Sequence, residues 1–545
     1  MVHLDKILNR YFKVLVFAVF VLALSMRLFL IEKHPVSLSM DEAAIGYNAY
    51  SILKTGKDEF RETFPLAFRS AGDYKPPVNV YLTVPSIYLF GVTEFAVRLP
   101  TAILGALSAV VLVFFLKSLG LSKPGSLFAG FWLSVLPWHV HFSRGSFEGV
   151  TSLFFLLLGS WLFILWTKNK KILLLIGSVI SFSLSVWAYH AERLFAPLVV
   201  VFLFLLFKDR IDLVKVKIKK QFLVAGIVLA IFAIPFLKLT FFTEAISQRA
   251  ASTSILREAS LGRSLHQGNY ANIEERIFDN DYYLIFRHWL GKYLNYYDLR
   301  FWFWKGMSFT PPGYPDLGLL YAIDLPLFFL GVYALLKSKE EKLKKLAFFW
   351  FLLGPIPASL TMNEQHPLRA LVWIPFFAII LGYGFGYLVE KFKSWTVFLY
   401  LLFLFANFIY FADIYLHHFP RFFSEYWQYG YKEVAIYACE NRNKYDKIVI
   451  TDTFGTEGPL NTGTPYLYLL FYCDWYRDLF QKVRFESEQI TFRRPNKEDF
   501  YYKGSSLLIG SPWDFLDEFK DKGKIVHQLN YLNGKPAFIF KDNKK

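Results

Sequence analysis

The segment Phe12–Ile31, FKVLVFAVFVLALSMRLFLI, decides the fold class, because it is an almost uninterrupted apolar run of membrane-spanning length. About 20 apolar residues cross a bilayer as a helix, whereas the apolar part of a signal peptide has only about 7–15 residues. Basic residues stand at its start, at Lys6, Arg10 and Lys13. We therefore predict an uncleaved transmembrane helix.

The composition extends this prediction to the whole chain. Of 545 residues, 54% are hydrophobic and 19% are charged, whereas soluble domains carry about 25% charged residues. The apolar residues also form blocks, so we predict an integral membrane protein. The net charge of +16 does not indicate nucleic-acid binding, because Lys and Arg form short clusters between these blocks and no recognition motif accompanies them.

Further apolar segments predict about eleven transmembrane helices in total. After the first, they span residues 97–117, 124–139, 149–166, 172–189, 194–207, 222–240, 317–336, 345–361, 370–389 and 395–416. Alternate connections carry Lys clusters, which marks them as cytoplasmic, since Lys and Arg are enriched in cytoplasmic loops. The remaining connections are long or rich in aromatic residues and mixed charge, and we assign them to the outer face.

This alternation defines the predicted domains. The short apolar stretch Val78–Phe90 contains Pro85 and is interpreted as a juxtamembrane or re-entrant helix, since counting it as a span would move every later Lys cluster outside. Residues 1–418 then form a membrane body with two large external loops, 32–95 and 241–316.

The remaining residues, 420–545, predict an extracytoplasmic α/β or α+β domain. A helix is expected at Tyr431–Arg442, strands at 446–452 and 505–511, and a hairpin at 524–542 with Asn533-Gly534 at its turn. The only cysteines, Cys439 and Cys473, lie in this region. A disulfide and free buried thiols are both compatible with the sequence.

The first external loop begins with an acidic pair in the stretch Ser39–Tyr50, SMDEAAIGYNAY. Ser39 and Glu42 fit a helix capping box, with Ser39 as the N-cap and Glu42 as the third helical residue. A surface helix that ends near Gly56 is expected to follow. Capping explains Asp41 only in part, as a favourable charge in the first turn.

Three elements follow in order along this loop: Asp41-Glu42, Lys75-Pro76-Pro77 and Arg98-Leu99-Pro100. Together they resemble the GT-C glycosyltransferases, which use polyprenyl-phosphate sugars, and in particular the protein O-mannosyltransferases and the bacterial aminoarabinose transferase of lipid A. The resemblance covers residues 12–200 and, more loosely, the segments up to residue 418.

The resemblance implies a role for each element. Asp41 would be the catalytic base with Glu42 beside it, and Lys75 and Arg98 would lie near the donor phosphate or shape the pocket. The chemistry agrees, because a carboxylate can accept the proton of an attacking hydroxyl and cations stabilise a departing phosphate. A single base and a direct displacement would invert the anomeric centre, unlike the paired carboxylates of retaining hydrolases.

Other outer connections carry further candidates. Arg144 and Glu148 stand between the third and fourth segments, Arg193 follows the fifth, and His366 and Arg369 precede the tenth. Arg369 is assigned to the donor phosphate, and the other residues are site candidates. Anchoring of helix ends and structural ion pairs remain open as alternatives for all of them.

The sequence gives little support for a metal. His141 and Glu148 have a spacing that a metal would accept, but such spacings are weak evidence. We therefore expect no metal ligands and no required cofactor. The expected partners are a polyprenyl-phosphate sugar donor, membrane lipids and an acceptor lipid, glycan or protein.

The resulting hypothesis is an inverting glycosyltransferase in the cytoplasmic (inner) membrane, with its site and C-terminal domain facing outside. The alternative is a transporter or flippase for a lipid-linked glycan. Transporters usually show internal repeats and binding groups near the bilayer midplane. Here the ionisable residues gather at the outer ends of the helices, which favours the enzyme.

Overall fold

The structure is a computed structural model that describes residues 2–543, apart from 213, 245–252, 259–271, 279, 308–315, 363, 457, 459–460, 484–488 and 516–520. Its larger part is helical. The elements up to residue 423 are α1 (Val2–Leu28), α2 (Met40–Thr55), β1 (Phe68–Ser70), β2 (Asp73–Lys75), α3 (Pro77–Phe90), α4 (Glu94–Ser118), α5 (Lys123–Val135), α6 (Pro137–Arg144), α7 (Glu148–Asn169), α8 (Ile172–Ala188), α9 (Glu192–Leu206), α10 (Val216–Phe242), α11 (Ile273–Phe278), α12 (Asp281–Asn295), α13 (Asp324–Lys337), α14 (Glu341–Leu353), α15 (Ile356–Ser359), α16 (Ile374–Lys391), α17 (Ser394–Asp413) and α18 (Phe419–Phe423).

Every predicted transmembrane segment contains one of these helices. Among the described residues, six helices are long and apolar enough to cross a membrane. The protein is thus a multi-pass integral membrane protein, as predicted, while the number of eleven spans stays a prediction. The segment expected at 124–139 is divided into α5 and α6, because Pro137 lacks a backbone N–H and starts a new helix.

Helix α3 is the short helix predicted at Val78–Phe90. It has 14 residues and begins at Pro77, which suits the first helical position because its N–H would have no partner there. Its last turn exposes the apolar side chains of Tyr88, Leu89 and Phe90. Such an apolar tip on a helix too short to span fits an interfacial position.

Helix α2 has the predicted capping box but is not on the surface. The Glu42 N–H donates to Ser39 Oγ (3.3 Å), and the Ser39 N–H donates to Glu42 Oε2 (2.9 Å). The helix ends at Gly56, which is left-handed with φ of +69°. Yet Ala43, Ala44 and most other residues of α2 are buried. The prediction of a surface helix was wrong, because the C-terminal region packs on the side of α2 that carries Ala43, Ala44 and Tyr47.

The C-terminal region contains a mixed five-stranded sheet. Its elements are α19 (Tyr431–Asn441), β3 (Lys447–Ile450), β4 (Thr453–Phe454), β5 (Asn461–Thr462), α20 (Pro465–Tyr472), α21 (Asp474–Val483), β6 (Ile490–Phe492), α22 (Lys497–Phe500), β7 (Ser506–Gly510), β8 (Lys524–Asn530) and β9 (Pro536–Asn543). The strand order is β6-β3-β7-β9-β8. Strand β3 runs parallel to β6 and β7, whereas β9 runs antiparallel to β7 and β8.

The predicted helix, both predicted strands and the hairpin are present in this region. The hairpin turn is closed by the Tyr531 N–H, which donates to the Lys535 carbonyl (2.8 Å), and Gly534 has φ of +86°. Strand β6 and helices α20 and α21 were not predicted. The division of the chain near residue 420 stays a prediction.

Helix α20 packs directly on α2, and a glycine makes the approach close. A Cβ atom at Gly46 would lie 2.4 Å from Phe471 Cε2 and 2.7 Å from Val97 Cγ2. Both distances are shorter than van der Waals contact. Gly46 therefore lets α2 lie tightly between α4 of the membrane body and α20 of the C-terminal region.

Cys439 and Cys473 form a disulfide between α19 and the residue that follows α20. The sequence left open whether these cysteines are bonded or free, and in the structure they are bonded. The bond closes a loop with a sequence separation of 34 residues. It holds α20, and so the layer that covers α2, against the sheet.

Replacing both cysteines, Cys439→Ala with Cys473→Ala, should destabilise the C-terminal region by about 3–4 kcal/mol, because the unfolded chain regains the entropy of an open loop. The midpoint of thermal unfolding in detergent measures this change. Dithiothreitol should lower the midpoint of the wild-type protein similarly and leave the double variant unchanged. A wild-type midpoint that does not respond to reduction would contradict the prediction.

Candidate active site

Asp41 and Lys75 meet at one end of the helical body. Asp41 lies in the first turn of α2, and Lys75 ends the β1–β2 hairpin, where it pairs with Phe68. Lys75 Nζ donates to Asp41 Oδ1. The Lys75 side chain is only 8% exposed, whereas that of Asp41 is 53% exposed. The ion pair therefore presents its carboxylate to the outside and keeps its cation inside.

The Lys75 ammonium stays protonated despite its burial. Burial alone lowers its pKa, but the carboxylates of Asp41, Glu148 and Asp73 outweigh this effect and raise the pKa above the ordinary value. Glu148 stands in the first turn of α7. The predicted residues Asp41, Lys75 and Glu148 thus share one electrostatic environment, although they come from three separate parts of the sequence.

Glu42 has a different environment from its neighbour Asp41. Its side chain is 2% exposed and pairs with Arg98, whose Nε donates to Glu42 Oε1 (2.8 Å). The Ser146 N–H donates to the same oxygen (3.3 Å). Because the other oxygen serves the capping box, Glu42 joins α2, α4 and the turn before α7.

Arg98 is fully buried and its guanidinium is occupied by the protein itself. Nη1 donates to the carbonyls of Ile31 (2.7 Å) and Pro35 (2.9 Å), and Nη2 donates to the carbonyl of Ser37. These bonds, with those to Glu42, fix the chain between α1 and α2. The geometry therefore favours a positioning role for Arg98 over the phosphate contact implied by the family resemblance.

Arg144 is occupied in a similar way. Its Nη1 donates to the Met26 carbonyl (2.7 Å), and its Nη2 donates to the carbonyls of Phe29 (2.6 Å) and His34 (3.0 Å). These carbonyls lie at and beyond the last turn of α1, where the helix leaves them without internal partners. Arg144 thus caps α1. This contact fits the alternative in which Arg144 anchors a helix end.

His141 and Glu148 do not form part of a metal cluster. The His141 ring packs against aromatic rings of Tyr415, Phe419 and Trp427 at centroid distances of 5.5–5.8 Å. In the described ranges, no group of three or more His, Cys, Asp or Glu side chains is arranged to hold a metal ion. The expectation of no required cofactor stays a prediction.

Basic side chains line two neighbouring pockets, the first of which contains Lys75. A narrow pocket is lined by Lys75, His190 and Arg193. His190 and Arg193 also line a larger cavity of about 310 Å³, whose far wall contains Arg369 and Thr361. The two pockets have His190 and Arg193 in common, so Arg193 lies next to both the pocket of Lys75 and the cavity of Arg369.

Arg369 has donor groups available in this cavity. Its Nη1 donates to Thr361 Oγ1 (2.7 Å) and to the Met362 carbonyl (3.0 Å). Among the described residues, no hydrogen bond involves its Nε or Nη2. Nearby, burial lowers the pKa of His366 to about 4, and Arg369 adds to the effect. His366 is therefore neutral at physiological pH and offers no charge to a phosphate.

The C-terminal region contributes residues near the acidic pair that the sequence did not reveal. Burial raises the pKa of Tyr468 well above its ordinary value, and the carboxylates of Glu42 and Asp41 add to this effect. Tyr468 belongs to α20, whose tyrosines face the first external loop. The sequence signal for this helix was the run PYLYLLFY at 465–472. Its periodicity alone does not indicate which segment the helix packs against.

The comparisons with known proteins agree with the sequence resemblance. Residues 74–237 match the family model for dolichyl-phosphate-mannose-protein mannosyltransferases. In fold, the chain is similar to the crystal structure of ArnT from Cupriavidus metallidurans in the apo state, with a TM-score of 0.51 and 12% identity over 98% of each chain. No curated protein matches the chain in sequence.

A further similar structure is the archaeal oligosaccharyltransferase AglB from Archaeoglobus fulgidus in complex with an inhibitory peptide and a dolichol-phosphate. The TM-score is 0.48 and the identity 13%, over 80% of this chain. The chain spans 58% of the length of AglB. The predicted GT-C fold is confirmed by the ArnT similarity.

The buried pair of Glu42 and Arg98 gives a testable consequence. Arg98→Met should lower the free energy of unfolding by about 3–5 kcal/mol, because it leaves a buried carboxylate without its partner. The thermal midpoint and the monodisperse fraction in detergent measure this loss. Adding Glu42→Gln, which removes the unpaired charge and keeps an acceptor for Ser39, should recover part of it. A stable Arg98→Met protein with weakened donor binding would instead support the phosphate contact.

Proposed function

We propose that the protein is an inverting glycosyltransferase that moves a sugar from a polyprenyl-phosphate donor to the hydroxyl of a lipid, glycan or protein. The observation that carries this proposal is the half-exposed Asp41 carboxylate beside the buried Lys75 ammonium, at the start of a row of cations. The matching family model begins at residue 74. It therefore covers Lys75 and Arg193 but not Arg369.

Asp41 fits the role of the general base. A base must reach the proton that it accepts, within about 2.6–3.2 Å of the hydroxyl oxygen. Asp41 is the exposed member of the acidic pair, so an acceptor hydroxyl approaching from outside reaches it first. Glu42 cannot serve in this way because its oxygens are buried and occupied. Glu42 acts instead by fixing the helix that carries Asp41.

The cations fit the role of holding the leaving phosphate. Lys75 is protonated next to Asp41, and Arg193 and Arg369 continue the row on the outer ends of α9 and α16. Negative charge develops on the phosphate as the sugar leaves, and fixed cations in a partly buried site stabilise it. Arg369 would bind with the Nε and Nη2 edge of its guanidinium, which suits a phosphate in a fork-like contact.

This arrangement supports inversion. Inversion requires the leaving phosphate to be held on the side of the transferred sugar away from Asp41; Arg193 and Arg369 would hold it there, while Lys75 stays paired with Asp41. In the reaction, Asp41 takes the hydroxyl proton, a bond forms from the acceptor oxygen to the anomeric carbon, and the bond to the phosphate oxygen breaks. One displacement inverts the anomeric centre. No cofactor takes part in this scheme.

The proposed orientation places the site and the C-terminal region outside the cytoplasmic (inner) membrane. Two features support it. The Lys clusters stand at the helix ends opposite to Asp41, for example Lys117 at the end of α4, and such clusters are typical of the cytoplasmic side. The disulfide of the C-terminal region suits an oxidising compartment.

Asp41→Asn should abolish most of the activity without loss of the fold. Removal of a general base costs about 10²- to 10⁴-fold in rate, whereas the amide still occupies the same place in α2. Transfer of a radiolabelled sugar from polyprenyl-phosphate donors to membrane acceptors measures the rate. Glu62→Gln, at an exposed carboxylate of the same loop, serves as the control. Near-normal turnover of the Asp41 variant would mean that Asp41 is not the base and acts only as a favourable charge in the first turn of α2.

Arg369→Ala should weaken inhibition by free polyprenyl phosphate about 10- to 100-fold, which corresponds to a charged hydrogen bond of about 1.5–3 kcal/mol. Competition between free polyprenyl phosphate and the donor measures this change. The matched control is Arg300→Ala, because the Arg300 side chain is 71% exposed and pairs with Asp298. Equal inhibition constants in both variants would exclude Arg369 from the donor site.

A further inference from the structure

Helix α20 of the C-terminal region contacts the chain immediately before Asp41. The hydroxyl of Tyr468 has two acceptors, the Leu38 carbonyl (2.9 Å) and Gln428 Oε1 (2.7 Å), which share its single proton. Tyr468 has no exposed surface. Leu38 directly precedes the N-cap Ser39, so this bond fixes the residue from which α2 starts.

Two neighbouring tyrosines of α20 bind other parts of the same loop. The hydroxyl of Tyr466 donates to Glu59 Oε1 (3.1 Å), and that of Tyr472 donates to Glu94 Oε1 (2.9 Å). Glu94 starts α4, the helix that carries Arg98. The tyrosines of α20 therefore contact the loop on both sides of Asp41, and Leu38, the partner of Tyr468, is the contact nearest to Asp41 in the sequence.

The position of Tyr468 is itself tightly fixed. Its ring stacks on Tyr431 at a centroid distance of 5.3 Å, and Tyr431 packs against Phe538 of the sheet at 4.9 Å. The disulfide joins α19 to the end of α20. A rigid support of this kind can hold a reacting group in place, whereas a flexible one would let it drift.

We propose that Tyr468 is a positioning residue for transfer, which makes the C-terminal region a structural part of the active site. It holds the Leu38 carbonyl, and through it the first turn of α2, so that the Asp41 carboxylate meets the acceptor hydroxyl at reacting distance. The inference rests on the proposed role of Asp41 as the base. A misplacement of about 1 Å costs about 100-fold in rate.

Tyr468→Phe tests the proposal, because it removes the hydroxyl and keeps the stacked ring. We expect kcat to fall about 10- to 100-fold, with unchanged KM for the donor and unchanged inhibition by free polyprenyl phosphate. The control is Tyr476→Phe, at a buried tyrosine of α21 whose hydroxyl makes no hydrogen bond to any described residue.

Hydrogen exchange of the full-length protein supplies a measurement that does not need the reaction. In Tyr468→Phe, the backbone amides of residues 39–44 should exchange faster than in the wild-type protein and in Tyr476→Phe. Unchanged exchange and unchanged kcat would each overturn the proposal, as would an equal change in the control. Absence of transfer by the wild-type protein with every polyprenyl-phosphate sugar would refute the proposed function instead, and the exchange result would still decide whether Tyr468 holds α2.

Discussion

The buried ion pair of Glu42 and Arg98 is the interaction on which the site depends. It joins α2 to α4 and, through three carbonyls, to the chain that leaves α1. Taking two charges out of water is costly, and the cost is offset only where the remaining donors and acceptors also find partners. Here the backbone supplies these partners, so the chain between α1 and α2 is held in one conformation.

Asp41 and Glu42 show how adjacent carboxylates acquire different roles. Consecutive helical residues point about 100° apart around the axis, so Glu42 faces Arg98 while Asp41 faces Lys75 and the outside. The buried carboxylate determines where α2 lies. The exposed carboxylate remains accessible to an acceptor, beside a row of cations that suits a phosphate. Structural stability and chemistry are thus divided between two neighbouring residues.

Much of the fold was predictable because it follows from local patterns. Apolar runs located the membrane helices, and Ser39 with Glu42 identified the start of α2. The burial of α2 was not predictable, since its cover is α20, more than 400 residues later in the chain. The carbonyl partners of Arg98 were not predictable either, because backbone carbonyls carry no sequence signal.

The sequence by itself determined that the chain lies in a membrane, which loop carries the acidic pair and which residue types are available for transfer. Hydrophobicity, capping and charge clusters act over a few residues, so they can be recognised in order along the chain. Only the tertiary structure decided that Arg193 lines one pocket with Lys75 and another with Arg369, and that Tyr468 contacts the chain before α2. These relations depend on packing between distant segments, and packing is set by the shapes of all the helices together.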